Sequence, residues 1–279
     1  MINKLKILLQ LFRPLNIFQG IIASLIGYWL VGGGYTLKLV AGVLVVTSYI
    51  AAGNAINDYF DYKIDRVNNP NRPIPAGKIG KNSVLILAIA GFILGLLVTI
   101  PVLNLMTGII SILTVSLLIL YTPVFKDSVL WGNLVVSLVL GLTFLFITSI
   151  FQQPISGIIP GILAFMFNFI REIVKDMEDI EGDKQEGLET FPVRYGLEKS
   201  RNIVIGGIII TVIGLPLPYF IGIYSQYYLI SVLITVALPL LYTIYRLKQD
   251  LSTKTCAWAS SLLKYDVFFG LISIFLGKV

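Results

Sequence analysis

Apolar residues run along this chain in blocks of about 20, each long enough as a helix to cross a bilayer, and polar residues are largely confined to the gaps. Blocks at 15–32, 39–57, 84–101, 104–121, 129–150, 157–174, 202–222, 227–245 and 260–277 predict nine transmembrane helices. The first block follows Lys4, Lys6 and Arg13, as a signal peptide's apolar core follows its charged start. It is too long for such a core and lacks a clear cleavage site, so it is read as a true helix. The expected fold class is an all-α integral membrane protein, with 1–279 forming a single domain.

Charge placement sets an orientation. With the N-terminus in the cytoplasm and nine alternating helices, 19 of the 21 basic residues fall in cytoplasmic segments, leaving only Lys38 and Lys278 outside. That is the bias expected of a cell-membrane protein with its N-terminus inside, and it accounts for the net charge of +6 without a nucleic-acid partner. Hydrophobic residues make up 56% of the chain and charged ones 13%, about half the charged share of a soluble domain.

The chain has no histidine, and Cys256 is its only cysteine. An intrachain disulfide is excluded, as are His-based acid–base catalysis, Ser-His-Asp and Cys-His nucleophiles and most zinc sites. Any chemistry here uses carboxylates, Lys, Arg, Tyr, Asn or a hard cation.

Carboxylates are costly in a membrane protein, so their positions carry information. Eleven of the fifteen lie in two stretches, 58–65 and 172–189. Aspartates fall at 58, 61 and 65 in the first and at 176, 179 and 183 in the second, both spaced 0, +3, +7. On a continuous helix each set occupies one face. Asn54 extends the first face by a turn and Glu172 the second, an internal pseudo-repeat of 54–65 and 172–183. The clusters follow the second and sixth blocks, so the alternation places both on the cytoplasmic side.

Three carboxylates on one face repel one another in an empty site. Mg²⁺ resolves the conflict, because it prefers oxygen ligands and is shared between carboxylates and substrate phosphates. Lys63, Arg66, Arg72, Lys126, Arg171, Lys175, Lys184 and Arg194 stand nearby in sequence to meet the remaining phosphate charge. Carboxylates, Mg²⁺ and cations beside apolar helices suit a diphosphate on a long hydrocarbon tail. The rival class is a secondary transporter or cation exchanger, whose carboxylates mark an ion path; such proteins place isolated charges near mid-bilayer, whereas these cluster at one end of their helices.

Asn57-Asp58-x-x-Asp61-x-x-x-Asp65 resembles the first signature of the UbiA superfamily of intramembrane prenyltransferases, and Asp179-x-x-x-Asp183 resembles the second. Arg13-Pro14-x-Asn16 is similar to the family's opening motif, and Asn71–Gly77 to the loop after its first cluster. Tyr121, Lys126 and the run Leu188–Gly196 also fit. One departure is that Tyr62-Lys63 follow Asp61 where family members often have Arg, which leaves the basic role to Lys63 or Arg66.

The resemblance implies nine helices around a central cavity with a cytoplasmic cap. It also implies an isoprenyl diphosphate donor bound through two Mg²⁺ ions, one held by Asn54, Asp58 and Asp61 or Asp65, the other by Asp176, Asp179 and Asp183. Arg13, Lys126, Arg171 or Lys175 would meet an acceptor phosphate, Asn16 and Asn57 would orient substrate, and Tyr121 would offer its ring to an allylic cation. The loops look most like the archaeal branch, which adds a geranylgeranyl group to geranylgeranylglyceryl phosphate; an aromatic or chlorophyllide-like acceptor is the alternative. The oligomeric state stays open.

Overall fold

A computed structural model describes residues 2–34 and 36–278; the side chains of Lys4 and Glu186, counted among the charges above, lie outside the described positions. Among the described residues every regular element is helical. Eight helical spans are long and apolar enough to cross a membrane: Thr36–Phe60, Lys81–Val102, Leu105–Phe125, Trp131–Ile150, Pro154–Glu178, Leu197–Phe220, Gln226–Gln249 and Thr253–Gly277. A bent pair, Leu5–Phe12 with Pro14–Leu30, meets at 61° and makes a ninth when the pair is taken as one span. All nine blocks predicted from the sequence are present. Several spans begin earlier than their apolar blocks, because polar residues at the membrane surface continue the helix.

The chain divides into two compact units, Met1–Phe125 with Leu142–Gly157, and Lys126–Gly141 with Ile158–Val279. The first contains α1 (Ile2–Phe12), α2 (Pro14–Leu30), α3 (Thr36–Phe60), α4 (Tyr62–Asn68), α5 (Lys81–Thr99), α6 (Leu105–Leu120) and the C-terminal part of α7 (Trp131–Ile150). Arg13 separates α1 from α2 with φ 52° and ψ 78°. Pro14 explains the position of the break: it disfavours the α conformation at the residue before it, while its own missing N–H is harmless at the first position of α2. Gly27 and Gly42 let α2 and α3 approach α7. A methyl group at Gly27 would lie 2.9 Å from Ile147, and one at Gly42 would lie 2.8 Å from Ile150. Small residues at such crossings favour dispersion packing where lipid removes the hydrophobic drive.

The second unit contains the N-terminal part of α7 and then α8 (Ile158–Glu178), α9 (Ile180–Glu186), α10 (Phe191–Tyr195), α11 (Leu197–Gly214), α12 (Leu217–Phe220), α13 (Gln226–Val232), α14 (Leu238–Gln249) and α15 (Thr253–Gly277). A π-helical segment, Leu233–Ala237, joins α13 to α14, and Pro239, which cannot donate to the helical ladder, follows it. The phenol of buried Tyr228 donates to the Leu215 carbonyl at 2.8 Å, so a polar group deep in the unit is satisfied.

Within the spans, hydroxyls of Ser24, Thr47, Thr99, Ser137, Thr148, Thr211, Thr235, Thr243 and Ser273 donate to the carbonyl four residues earlier. A helix satisfies these groups itself, which makes Ser and Thr tolerable where no water is available. Outward positions such as Ile86, Leu97, Ile112, Ile210 and Ile213 are exposed and apolar, the surface a bilayer covers.

Candidate functional site

Both aspartate clusters are built in the same way. The helix is interrupted at the middle aspartate: Asp61 stands between α3 and α4 with φ −75° and ψ −1°, and Asp179 between α8 and α9 with φ −89° and ψ 3°. Helical hydrogen bonds flank each interruption, Asp61 N–H to Asn57 O and Asp65 N–H to Asp61 O in one, Asp179 N–H to Lys175 O and Asp183 N–H to Asp179 O in the other. The expectation of one continuous helical face is thus corrected. In each cluster the first aspartate ends a membrane span, the second marks the joint, and the third rides on a seven-residue helix.

In the first unit Asp58, Asp61 and Asp65 are all buried. Burial of three carboxylates demands compensating charge, and arginines supply it. Arg13 Nη2 donates to Asp58 Oδ1 at 2.7 Å. Arg72 Nη1 reaches both oxygens of Asp65, at 2.8 and 2.7 Å, and lies 3.5 Å from Asp58 Oδ1. The basic partner is therefore Arg72 with Arg13, in place of the Lys63 or Arg66 expected from the sequence. Lys63 is exposed, and Arg66 stacks over the Tyr62 ring at 5.1 Å.

Asn54 is engaged on both sides of its amide. Its Nδ2 donates to the Phe12 carbonyl at 3.0 Å and its Oδ1 accepts from Asn16 at 3.5 Å. It braces the break at Arg13 against α3, a structural duty the metal-ligand reading did not foresee. Asn57 is held by Thr122, whose hydroxyl donates to its Oδ1 at 2.8 Å. Thr122 and half-buried Tyr121 both belong to the π-helical segment Tyr121–Phe125 that follows α6.

In the second unit Asp176 is held by Asn133 of α7, whose Nδ2 donates to Oδ2 at 2.7 Å. Asp183 accepts from the Thr190 hydroxyl at 3.0 Å. Burial holds the Asp183 carboxyl above its ordinary value; the Thr190 hydrogen bond opposes this, Asp179 adds to it, and Lys126 and Lys175 oppose it. Asp179 itself is exposed, as are Lys175 and Lys184. Arg171 Nη1 pairs with neighbouring Glu172 at 2.7 Å, while its buried Nε has no hydrogen-bond partner. Arg194 pairs with exposed Glu189 at 3.3 Å. The partners Thr122, Asn133 and Thr190 were not singled out by sequence. They lie 7 to 65 residues from the groups they hold, in ordinary-looking helical and loop contexts.

Among the described residues, no three acidic side chains gather into a ready-made metal cluster. The expectation of three protein ligands to each ion thus has no preformed counterpart among the described residues; in the first cluster arginines occupy Asp58 and Asp65 and Asn54 is tied to α1. The donor chemistry still fits Mg²⁺. Every available donor is a carboxylate or amide oxygen, and Mg²⁺ is ordinarily held by one or two carboxylates with substrate phosphates completing its shell.

The profile of the UbiA prenyltransferase family matches residues 20–269. A Methanosphaera stadtmanae protein known as digeranylgeranylglyceryl phosphate synthase is 36% identical over 275 residues, 97% of this chain and 98% of that protein. A Methanopyrus kandleri protein of the same name is 36% identical over 233 residues, 84% and 86% of the two chains. A solved structure described as "Structural and mechanistic insights into the biosynthesis of Digeranylgeranylglyceryl phosphate synthase in membranes" matches with a TM-score of 0.84 at 32% identity, covering 100% of this chain and 99% of that one. A UbiA homolog from Archaeoglobus fulgidus bound to GPP and Mg²⁺ gives a TM-score of 0.74 over 96% and 99% of the chains. At 19% identity that likeness is one of fold.

Proposed function

The chain belongs to the UbiA prenyltransferase family, and from that premise we propose that it transfers a geranylgeranyl group from geranylgeranyl diphosphate to geranylgeranylglyceryl phosphate, releasing diphosphate. The observation that carries this reading is the pair of aspartate clusters, each breaking its helix at the middle aspartate just beyond a membrane span. The name shared by full-length relatives at 36% identity supports the choice of acceptor. Residues 1–279 act as one prenyltransferase domain of the cell membrane, with the N-terminus and both clusters on the cytoplasmic side.

Two Mg²⁺ ions belong to the reading, one held through Asp58, Asp61 and Asp65 and one through Asp176, Asp179 and Asp183. Bound Mg²⁺ would neutralise charge on the diphosphate as it leaves. The remaining work falls to side chains. Arg13 and Arg72, which now neutralise Asp58 and Asp65, have the fixed fork geometry that binds phosphate oxygens. They pass from carboxylate to diphosphate as the donor arrives. Asn57, oriented by Thr122, presents its amide N–H groups to the donor. Lys126, Arg171 and Lys175 serve the acceptor phosphate.

The C1–O bond of the donor breaks, the acceptor hydroxyl oxygen bonds to C1, and its proton leaves to an oxygen base, since the chain has no histidine. Excluding water protects the allylic cation, and the ring of Tyr121 would stabilise it by about 1–2 kcal/mol if desolvated.

The test is diphosphate release by purified protein in detergent, with geranylgeranyl diphosphate, Mg²⁺ and either geranylgeranylglyceryl phosphate or an aromatic acceptor, and with an EDTA control. Release and a prenylated product only with the glyceryl phosphate is the expected result. Turnover only with the aromatic overturns the acceptor, and turnover unaffected by EDTA overturns the metal.

A further inference from the structure

We propose that Asn133 is the positioning residue for Asp176, fixing one carboxylate oxygen through a neutral donor that brings no positive charge to compete with a divalent cation. The inference rests on the Mg²⁺–diphosphate reading above and deepens it, by identifying what prepares the second cluster for its ion.

The geometry is specific. Asn133 lies in the first turn of α7 and is buried, and its Nδ2 is 2.7 Å from Asp176 Oδ2. Only the NH₂ end of an amide can donate to a carboxylate oxygen, so this contact sets the orientation of Asn133. One turn further along α7, Ser137 Oγ donates to the backbone carbonyl of Asn133 at 2.5 Å and accepts from Asn168 Nδ2 of α8 at 3.3 Å. These contacts tie α7 to α8 through a chain of buried polar groups among apolar helices.

Stability alone does not account for such a chain, since well-packed apolar side chains would join two membrane helices without the desolvation cost. The first cluster makes the contrast. There arginines hold Asp58 and Asp65 and cancel their charge, so a cation must displace or supplement them. At Asp176 the holder is neutral. It removes rotational freedom from the carboxylate without competing for its charge, which is how outer hydrogen bonds prepare metal-ligating carboxylates. The two halves of the pseudo-repeat are thus wired differently, one arginine-capped and the other amide-aimed.

The experiment compares wild type, Asn133→Leu and Asn133→His in the full chain in detergent. Ser231→Ala serves as control, removing a hydrogen bond to Ser273 elsewhere in the same unit. Ion binding is read by Mn²⁺ EPR in the presence of inorganic diphosphate, turnover by diphosphate release as Mg²⁺ is varied, and folding by thermal unfolding. Asn133→Leu is expected to weaken Mn²⁺ binding and raise the Mg²⁺ needed for half-maximal turnover by about tenfold, the low end of outer-shell effects. Its acceptor KM should match wild type, while the lost hydrogen bond to a buried carboxylate lowers its melting temperature modestly without preventing folding. Asn133→His, which keeps an N–H at similar reach, should recover most of the loss, and Ser231→Ala should behave as wild type.

Wild-type ion binding and Mg²⁺ response in Asn133→Leu overturns the proposal, whatever its kcat. If that variant does not fold, Asn133→Ala carries the same expectation. A wild-type protein that neither binds Mn²⁺ nor responds to Mg²⁺ overturns the metal reading itself, a result distinct from a normal wild type with a normal variant.

Discussion

Arg13 and Asp58 are 45 residues apart in the chain and 2.7 Å apart in space, joined by a charge-assisted hydrogen bond from Nη2 to Oδ1. The bond fastens the break between α1 and α2 to the end of α3, and it replaces the carboxylate repulsion expected from sequence with a paired, buried anion. Arg13→Ala should therefore destabilise the protein. Arg13 is about one-third exposed and Arg72 remains 3.5 Å from Asp58, so the loss is discounted to about 1–2 kcal/mol. Thermal unfolding in detergent measures it, and an unchanged melting temperature would show that the pair contributes nothing to folding.

Thr122→Val removes the hydroxyl that orients Asn57 while keeping the side chain's shape. Turnover should fall about tenfold, with a stability loss of about 1 kcal/mol. Thr122→Ser keeps the donor and should keep most of the rate. Full activity in the valine variant would remove Asn57 from the substrate site.

The turn between α14 and α15 supplies a pH prediction. Asp250 accepts from the Ser252 hydroxyl at 2.6 Å and its N–H at 2.9 Å, and from the Thr255 hydroxyl. These bonds, Ser252 foremost, lower its pKa to about 2. A carboxylate depressed on folding stabilises fully above its unfolded pKa of about 3.9 and loses that contribution as pH falls toward the folded value. Asp250→Asn should thus melt below wild type at pH 7 and pH 5, with the gap closing between about pH 4 and pH 2. A gap that persists unchanged at pH 2 would place the effect elsewhere.

Asp266 lies in the middle of α15, only 2% exposed, with neither carboxylate oxygen hydrogen-bonded. Burying an unpartnered polar group is costly, so Asp266→Leu should stabilise the protein by about 1–3 kcal/mol. A melting temperature at or below that of wild type would mean the carboxylate has a partner in the folded protein.

The spans were legible because lipid imposes a simple rule: about 20 predominantly apolar residues in a row, which 104–121 and 227–245 obey with no charged residue among them. The clusters were legible because carboxylates beside apolar blocks are rare. What spacing could not convey was the interruption at Asp61 and Asp179, since 0, +3, +7 reads as one face whether or not the helix bends there. Nor could it convey which cation answers which anion. Lys63 and Arg66 are nearer to Asp65 in sequence, yet Arg72 reaches it because the chain after Asn68 leaves the helix and folds back. Asn133, 43 residues before Asp176, looks like any polar residue near a helix start until the packing of α7 on α8 brings it across.

The joints at Asp61 and Asp179 separate aspartates that stand on spans from aspartates that stand on short helices beyond them. Bilayer thickness controls the tilt of a span but has no grip on a seven-residue helix outside it. A thinner or thicker membrane is therefore expected to load the joint between Asp58 and Asp65, and that between Asp176 and Asp183. The spacing of the aspartates in each cluster becomes a reading of the host lipid, so turnover in vesicles should peak at one acyl-chain length and decline on either side.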